Sequence, residues 1–197
     1  MAIEVKKETG TVYKPVWQLI LEDIPGGVTL STSRVPSTTK ELKAGTMLAN
    51  SGTTGIYQFI KTGKSVGTQT AATARRFVAP VEFNANEFIF INGKTTGSTI
   101  LRIARSANTV TIATKTALGT LGTASIIGQC AAAGATALLY SPVAVTRDDV
   151  EVRNADLSTL KNVTAGAVVR GTLDESVLPY PVTSGMKTAL TARFRFA

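Results

Sequence analysis

From Arg76 to Thr114 the chain reads as one short apolar segment after another, each closed by turn-forming residues. Arg76 to Phe83, Asn86 to Gly93, Ser98 to Ala104 and Asn108 to Thr114 are separated by Asn84-Ala85-Asn86, Asn92-Gly93-Lys94 and Ser106-Ala107-Asn108. Alternation is read in Val110-Thr111-Ile112 and in Phe88-Ile89-Phe90-Ile91, an apolar run flanked by polar turns. Such runs predict strands. The same pattern recurs outside this region. Val16 to Leu21 and Val28 to Ser33 flank the turn signal Pro25-Gly26-Gly27, and Ile56 to Ile60 and Ser141 to Val145 read as further strands. At the C-terminal end Thr191 to Phe196 alternates Phe with Arg, the period of a strand with one face buried. Turn signals at roughly 8–12-residue intervals predict an antiparallel β-sandwich or barrel. The expected fold class is mainly β, with an N-terminal arm and first strands over residues 1–36 and a single β-rich domain over 37–197.

One stretch departs from this pattern. Thr116 to Thr146 carries no charged residue, and Ile126 to Leu139 contains Ala131-Ala132-Ala133 and Ala135. It predicts a short Ala-rich helix with a smooth face suited to a buried layer or a subunit contact. Ile126 to Val145 is broken by Gln129, Thr136, Ser141 and Pro142, too polar for the roughly 20 apolar residues of a membrane-spanning helix.

A short pattern occurs twice. Ser37-Thr38, Lys40, Leu42, Ala44 and Gly45 line up with Ser158-Thr159, Lys161, Val163, Ala165 and Gly166. An apolar strand start follows each Ala-Gly, within 37–48 and 158–169. The glycine of such a corner supplies a positive φ or leaves room where a Cβ would not fit. Ala44, Gly45, Ala165 and Gly166 are the expected structural corners.

Composition narrows the chemistry. The 197 residues include no histidine, which excludes histidine metal sites and histidine-based triads. Cys130 is the only cysteine, so no internal disulfide forms, and its uncharged neighbours predict a small buried apolar side chain. Residues 1–10 lack the apolar core of a secretion signal, so the chain is expected to stay in a cytoplasm until lysis. Gly63-Lys64-Ser65 resembles the end of a phosphate-binding loop, but Gln58 stands where that loop needs its first glycine. Asp148, Asp149 and Glu151 cluster without the glycine and oxygen spacing of a calcium loop and read as a charged turn. No catalytic, cofactor-binding or metal-binding residue is assigned, and no cofactor is expected.

The net charge of +8 is concentrated between Lys61 and Lys115, where eight Lys and Arg residues face only Glu82 and Glu87. That excess is read either as a footprint for an anionic partner or as a solvated face. The basic residues are scattered and not interleaved with aromatics, which argues against direct nucleic-acid contact.

Two stretches carry a resemblance. Glu41 to Gly52 is similar to the L-x-A-G-T-x-L-A segment of bacteriophage head-decoration proteins. Val163 to Val182, followed by Leu190 to Phe196, resembles the C-terminal part of phage head-fibre and auxiliary capsid proteins, especially those of phages infecting Bacteroidales. The resemblance implies a non-enzymatic virion component on the capsid exterior, assembled in the host bacterial cytoplasm. It would be a homo-oligomer, often a trimer, whose partner is the major capsid protein. Trp17, Arg75, Arg76, Arg102, Arg105 and Tyr180 are the candidate capsid or subunit contacts. The alternative is a carbohydrate- or receptor-binding β-module of a phage fibre or tail. A membrane partner is not expected.

Overall fold

A computed structural model describes residues 15–93, 97–153 and 162–197. The expected N-terminal arm before Pro15, and Ser158, Thr159 and Lys161 of the second Ala-Gly pattern, lie outside the described residues. The protein is mainly β, with one short helix and two curled sheets.

The first sheet uses the two ends of the chain. It contains β1 (Trp17–Asp23), β2 (Val28–Leu30), β4 (Met47–Asn50), β5 (Ile56–Phe59), β12 (Ala144–Thr146), β14 (Val163–Ala165), β15 (Ala167–Leu173) and β16 (Phe194–Phe196). Its order is β1-β15-β12-β4-β5-β2-β14, with β16 added in parallel to β15. β14 and β15 are one segment bent at Gly166, yet they stand at the far end of the sheet and next to its first strand. The sheet therefore curls back on itself. The partner segment behaves likewise: β1 pairs with β15 and β2 with β14. Pro25-Gly26-Gly27 is thus a kink in one long ribbon, with Gly27 N–H bonded to Ile24 O, and not a hairpin between β1 and β2.

Period-two alternation assigns each side chain to a layer. Leu48, Ala144 and Ala167 point into the curl with Val28, Leu30, Phe59 and Ala165. Their neighbours Met47, Ala49, Val145 and Val168 point outward, under Met186, Leu190 and Phe194. The outer cover is the helix α1 (Ser184–Leu190), capped by Thr183, whose Oγ1 accepts from Met186 N–H. A two-stranded ladder of β3 (Glu41–Leu42) with β13 (Val150–Glu151) plugs the inner layer with Leu42 and Val150. The strand expected at the C-terminal end is β16, with Phe194 buried and Arg195 exposed.

The second sheet lies between β5 and β12 in sequence. It comprises β6 (Thr62–Lys64), β7 (Ala74–Val78), β8 (Phe88–Ile91), β9 (Ser98–Arg105), β10 (Thr109–Thr114) and β11 (Ile126–Cys130), in the order β6-β11-β8-β9-β10-β7. A bridge between Ser65 and Phe77 and the bond from Val66 N–H to Arg76 O join its two edges into a barrel. Phe77, Phe83, Ile89, Ile91, Ile100, Val110, Ile112, Leu118, Leu121 and Ile127 fill the interior. Each such side chain contributes about 1.5–3 kcal/mol on burial, which explains a well-formed second core. Of the segments predicted over Arg76 to Thr114, the last three match β8 to β10, while the first overlaps β7 only from Arg76 to Val78, because the chain leaves the sheet at Ala79-Pro80.

The Ala-rich helix does not form. Ile126 to Cys130 is β11, paired with β6 and β8, and the residues after it are turns. Sheet pairing satisfies the backbone there, and Gly134 at φ +84° is incompatible with a continuing helix. Ala131, Ala132 and Ala133 are exposed, not a buried layer. The short helix of the fold is α1.

The two Ala-Gly corners differ in kind. Gly45, with Ala44 in the β3–β4 turn, has φ +86°, and a Cβ there would stand 2.7 Å from Val16 Cγ1 and 2.8 Å from Leu178 Cδ2. Gly166, between Ala165 and β15, is outside the left-handed region. A Cβ there would meet side-chain atoms of Asp148 and Arg147 at 3.3–3.4 Å. It marks the bend that closes the first barrel, the ordinary use of a glycine at a barrel corner.

Candidate functional site

The two barrels meet along a polar seam that begins where the chain leaves the first barrel. Lys61, immediately after β5, is fully buried. Its Nζ donates to Arg34 O at 2.7 Å and pairs with the Glu87 carboxylate at 2.5 Å. Burial pulls the lysine pKa down, and Glu87 opposes that shift. Asn84 Nδ2 donates to the same Arg34 carbonyl, and its N–H donates to Glu87 Oε2. Glu82 lies beside this group, accepts from Thr39 Oγ1 and faces Tyr180. Burial above all, then Glu82, pushes the Tyr180 phenol far above its ordinary range. Thr62 Oγ1 donates to Pro181 O at 2.7 Å. Arg153 donates to Val35 O and Pro36 O, holding the loop that presents Arg34 and Thr39. Among the described residues no buried side-chain nitrogen or oxygen is left without a partner. The polar side chains of the seam thus link residues of one barrel to residues of the other.

Burial changes the meaning of two expected contacts. Tyr180 is 6% exposed and belongs to the seam, not to an outer docking face. Arg75 is 1% exposed and also cannot be a contact. It stands on the inward parity of β7, and its guanidinium donates to Ala72 O, Gln69 O, Leu118 O and Gly119 O. It clasps two loops at one end of the second barrel. Arg105 is exposed, but its Nη2 donates to Phe83 O at 2.6 Å, so it caps a barrel end. Arg76 and Arg102 remain on the outer surface. Trp17 is half-buried: its ring lies 6.2 Å from that of Phe194, and its Nε1 donates to Arg147 O.

Trp17 also lines a groove of about 950 Å³ at the barrel junction, with Val16, Pro80, Val177 and Pro179. Lys43 and Arg147 on its rim are paired, Lys43 with Glu41 and Asp149, Arg147 with Asp23 and Asp148. Asp149 accepts Ala44 N–H at 2.8 Å, and that bond with Lys43 lowers its pKa. The acidic turn thus tethers the Ala44-Gly45 corner to β13. Among the described residues no three His, Cys, Asp or Glu side chains form a cation cage. Cys130 is buried, with its thiol pKa raised by that burial. Gly63-Lys64 is part of β6 rather than a phosphate loop.

Two surfaces are left open. Among the described residues β1 is paired on one edge only, with β15, and Leu19 and Leu21 are 52% and 60% exposed. The other surface is the outside of the second barrel. Its carboxylates Glu82 and Glu87 both face the seam, while Lys64, Arg76, Arg102, Arg105 and Lys115 are exposed. The charge excess legible between Lys61 and Lys115 is therefore displayed on the outside of the second barrel. The inward pairing of Lys61, Glu82 and Glu87 had no local sequence signal.

Comparison with protein-family models, with curated proteins and with solved structures finds no match. Among the described residues no helix is long and apolar enough to cross a membrane.

Proposed function

We propose that this chain is a structural virion protein that binds the outside of a phage capsid and decorates or stabilises the expanded shell. The observation that carries the reading is the separation of its polar chemistry. Buried ionisable groups at the seam are engaged in joining two barrels, and the surface left over offers recognition, with exposed cations on a barrel whose own two acids turn to the seam, and an apolar strand edge. A molecule arranged in this way works by attachment. Selective binding to the expanded shell stabilises that state by mass action. The edge of β1 that has no partner among the described residues suits self-contact or strand addition, and the trimer implied by the resemblance would add avidity.

The test is co-sedimentation of the purified protein with expanded, undecorated phage heads, titrated to saturation. Saturation at a fixed ratio to the major capsid protein is the expected result. Absence of binding, together with glycan-dependent retention on an array, would replace this reading with that of a receptor-binding fibre module.

A further inference from the structure

We infer that the outer β7–β10–β9 face of the second barrel is the docking surface, and that it is built for an acidic protein surface. This rests on the reading above and names the face that meets the shell.

Register places the key side chains together. Arg76 pairs with Thr111, which pairs with Ala104, while Ala74 pairs with Ala113, which pairs with Arg102. Residues paired across antiparallel strands share a face, so Arg76 and Arg102 point outward on the same side. Two strands and two residues apart, their Cα atoms are about 12 Å from each other. The positions between them are alanines and a threonine, which leave a low, flat floor. The ladder slips between Ala113 and Thr114, inserting Leu101 as an extra residue. A bulge of this kind re-aims a side chain, and Leu101 is 57% exposed beside Arg102. Val78, two residues beyond Arg76 on the same strand face, is 45% exposed. The face thus combines apolar side chains with separated guanidinium groups.

The electrostatics are one-sided. No Asp or Glu occurs between Glu87 and Asp148, and Glu82 and Glu87 face the seam. Ion pairs among the described residues use Lys43, Lys61, Arg147 and Lys187, never Arg76 or Arg102. Unpaired guanidinium groups suit carboxylates, which they bind bidentately. The face carries no aromatic side chain on which a base could stack, and its apolar contribution is aliphatic. Protein is favoured over nucleic acid on that ground.

The experiment compares wild type, R76E/R102E and L101A with a control reversal on the first barrel, Arg195→Glu. Each is assayed for binding to expanded heads, to poly-L-glutamate and to a 30-base-pair duplex. The double reversal should weaken head binding about 100-fold and L101A about 5-fold, while R195E leaves it unchanged. Melting temperatures should match, since these side chains are exposed. Head binding that survives R76E/R102E would overturn the inference and leave the capsid reading intact. If heads are not bound at all, the capsid reading fails. Arginine-dependent retention of poly-L-glutamate would then still support an acidic protein partner, and its absence would overturn it. Tighter, arginine-dependent binding to the duplex would overturn it in favour of nucleic acid.

Discussion

The two barrels solve the same packing problem with opposite surfaces. The first is assembled from both ends of the chain, covers its sheet on two faces and neutralises its charges locally, as Lys43 and Arg147 do with their carboxylate neighbours. The second is continuous in sequence, encloses one core and turns both of its acids toward the seam. Its charge excess is therefore displayed rather than cancelled. Uneven charge in a chain says little until the structure shows which charges face inward.

The contrast is most sharply broken at Lys61. Replacing it by Met leaves the largely buried Glu87 carboxylate without its cation, which should cost about 3–5 kcal/mol of stability. Adding Glu87→Leu should recover most of that loss. A melting curve of K61M within 1 °C of wild type would show that the seam holds nothing together.

Adjacent arginines then separate architecture from display. Arg75→Ala strands four carbonyl acceptors and should destabilise by about 3 kcal/mol, whereas Arg76→Ala should stay within about 0.5 kcal/mol. Denaturant titrations of the two variants would settle it, and equal midpoints would contradict the assignment.

The paired glycines test whether sequence likeness implies equal geometry. Gly45→Ala forces a left-handed residue against Val16 and Leu178 and should cost about 2 kcal/mol. Gly166→Ala meets only exposed, adjustable side chains and should cost less than about 1 kcal/mol. Equal losses in thermal unfolding would restore the idea of one corner used twice.

The smallest effect is a pH signature of the seam. Tyr180 has its pKa raised on folding, so its contribution is fully present below the unfolded value near 10 and is lost as pH rises beyond it. Lys61 acts in the opposite sense, because its pKa is lowered on folding, and stability gains as pH rises toward 10.5. Above pH 10 the tyrosine should dominate, with a slope of at most about 1.4 kcal/mol per pH unit. Tyr180→Phe should flatten the decline in melting temperature between pH 10 and 11. An unchanged decline would place its origin elsewhere.

The strands were legible wherever burial is one-sided or a short apolar run is closed by turns, as in Val110-Thr111-Ile112 and Phe88 to Ile91. The Ala-rich segment misled because local helix preference was outweighed by pairing of Ile126 to Cys130 with two distant strands. The seam was not legible, since Thr39 and Glu82 are 43 positions apart and Lys61 and Glu87 are 26 apart. No periodicity links such residues. Of the expected outer contacts, Arg76 and Arg102 kept an outward position. Arg75 differs from Arg76 by one step along β7, which in a strand is the difference between inside and outside.

The insertion of the second barrel's sequence between β5 and β12 of the first has a consequence for birth on the ribosome. By the time Cys130 emerges, every strand of the second barrel is present, and its core can close. The first barrel at that moment has β1, β2, β4 and β5 but lacks β12, β14, β15 and β16. Its strand edges must wait, unpaired, for the last third of the chain. Waiting edges are where nascent chains cling to one another. Slowed translation after Cys130 should therefore lower the yield of folded protein far more than slowing before Lys61.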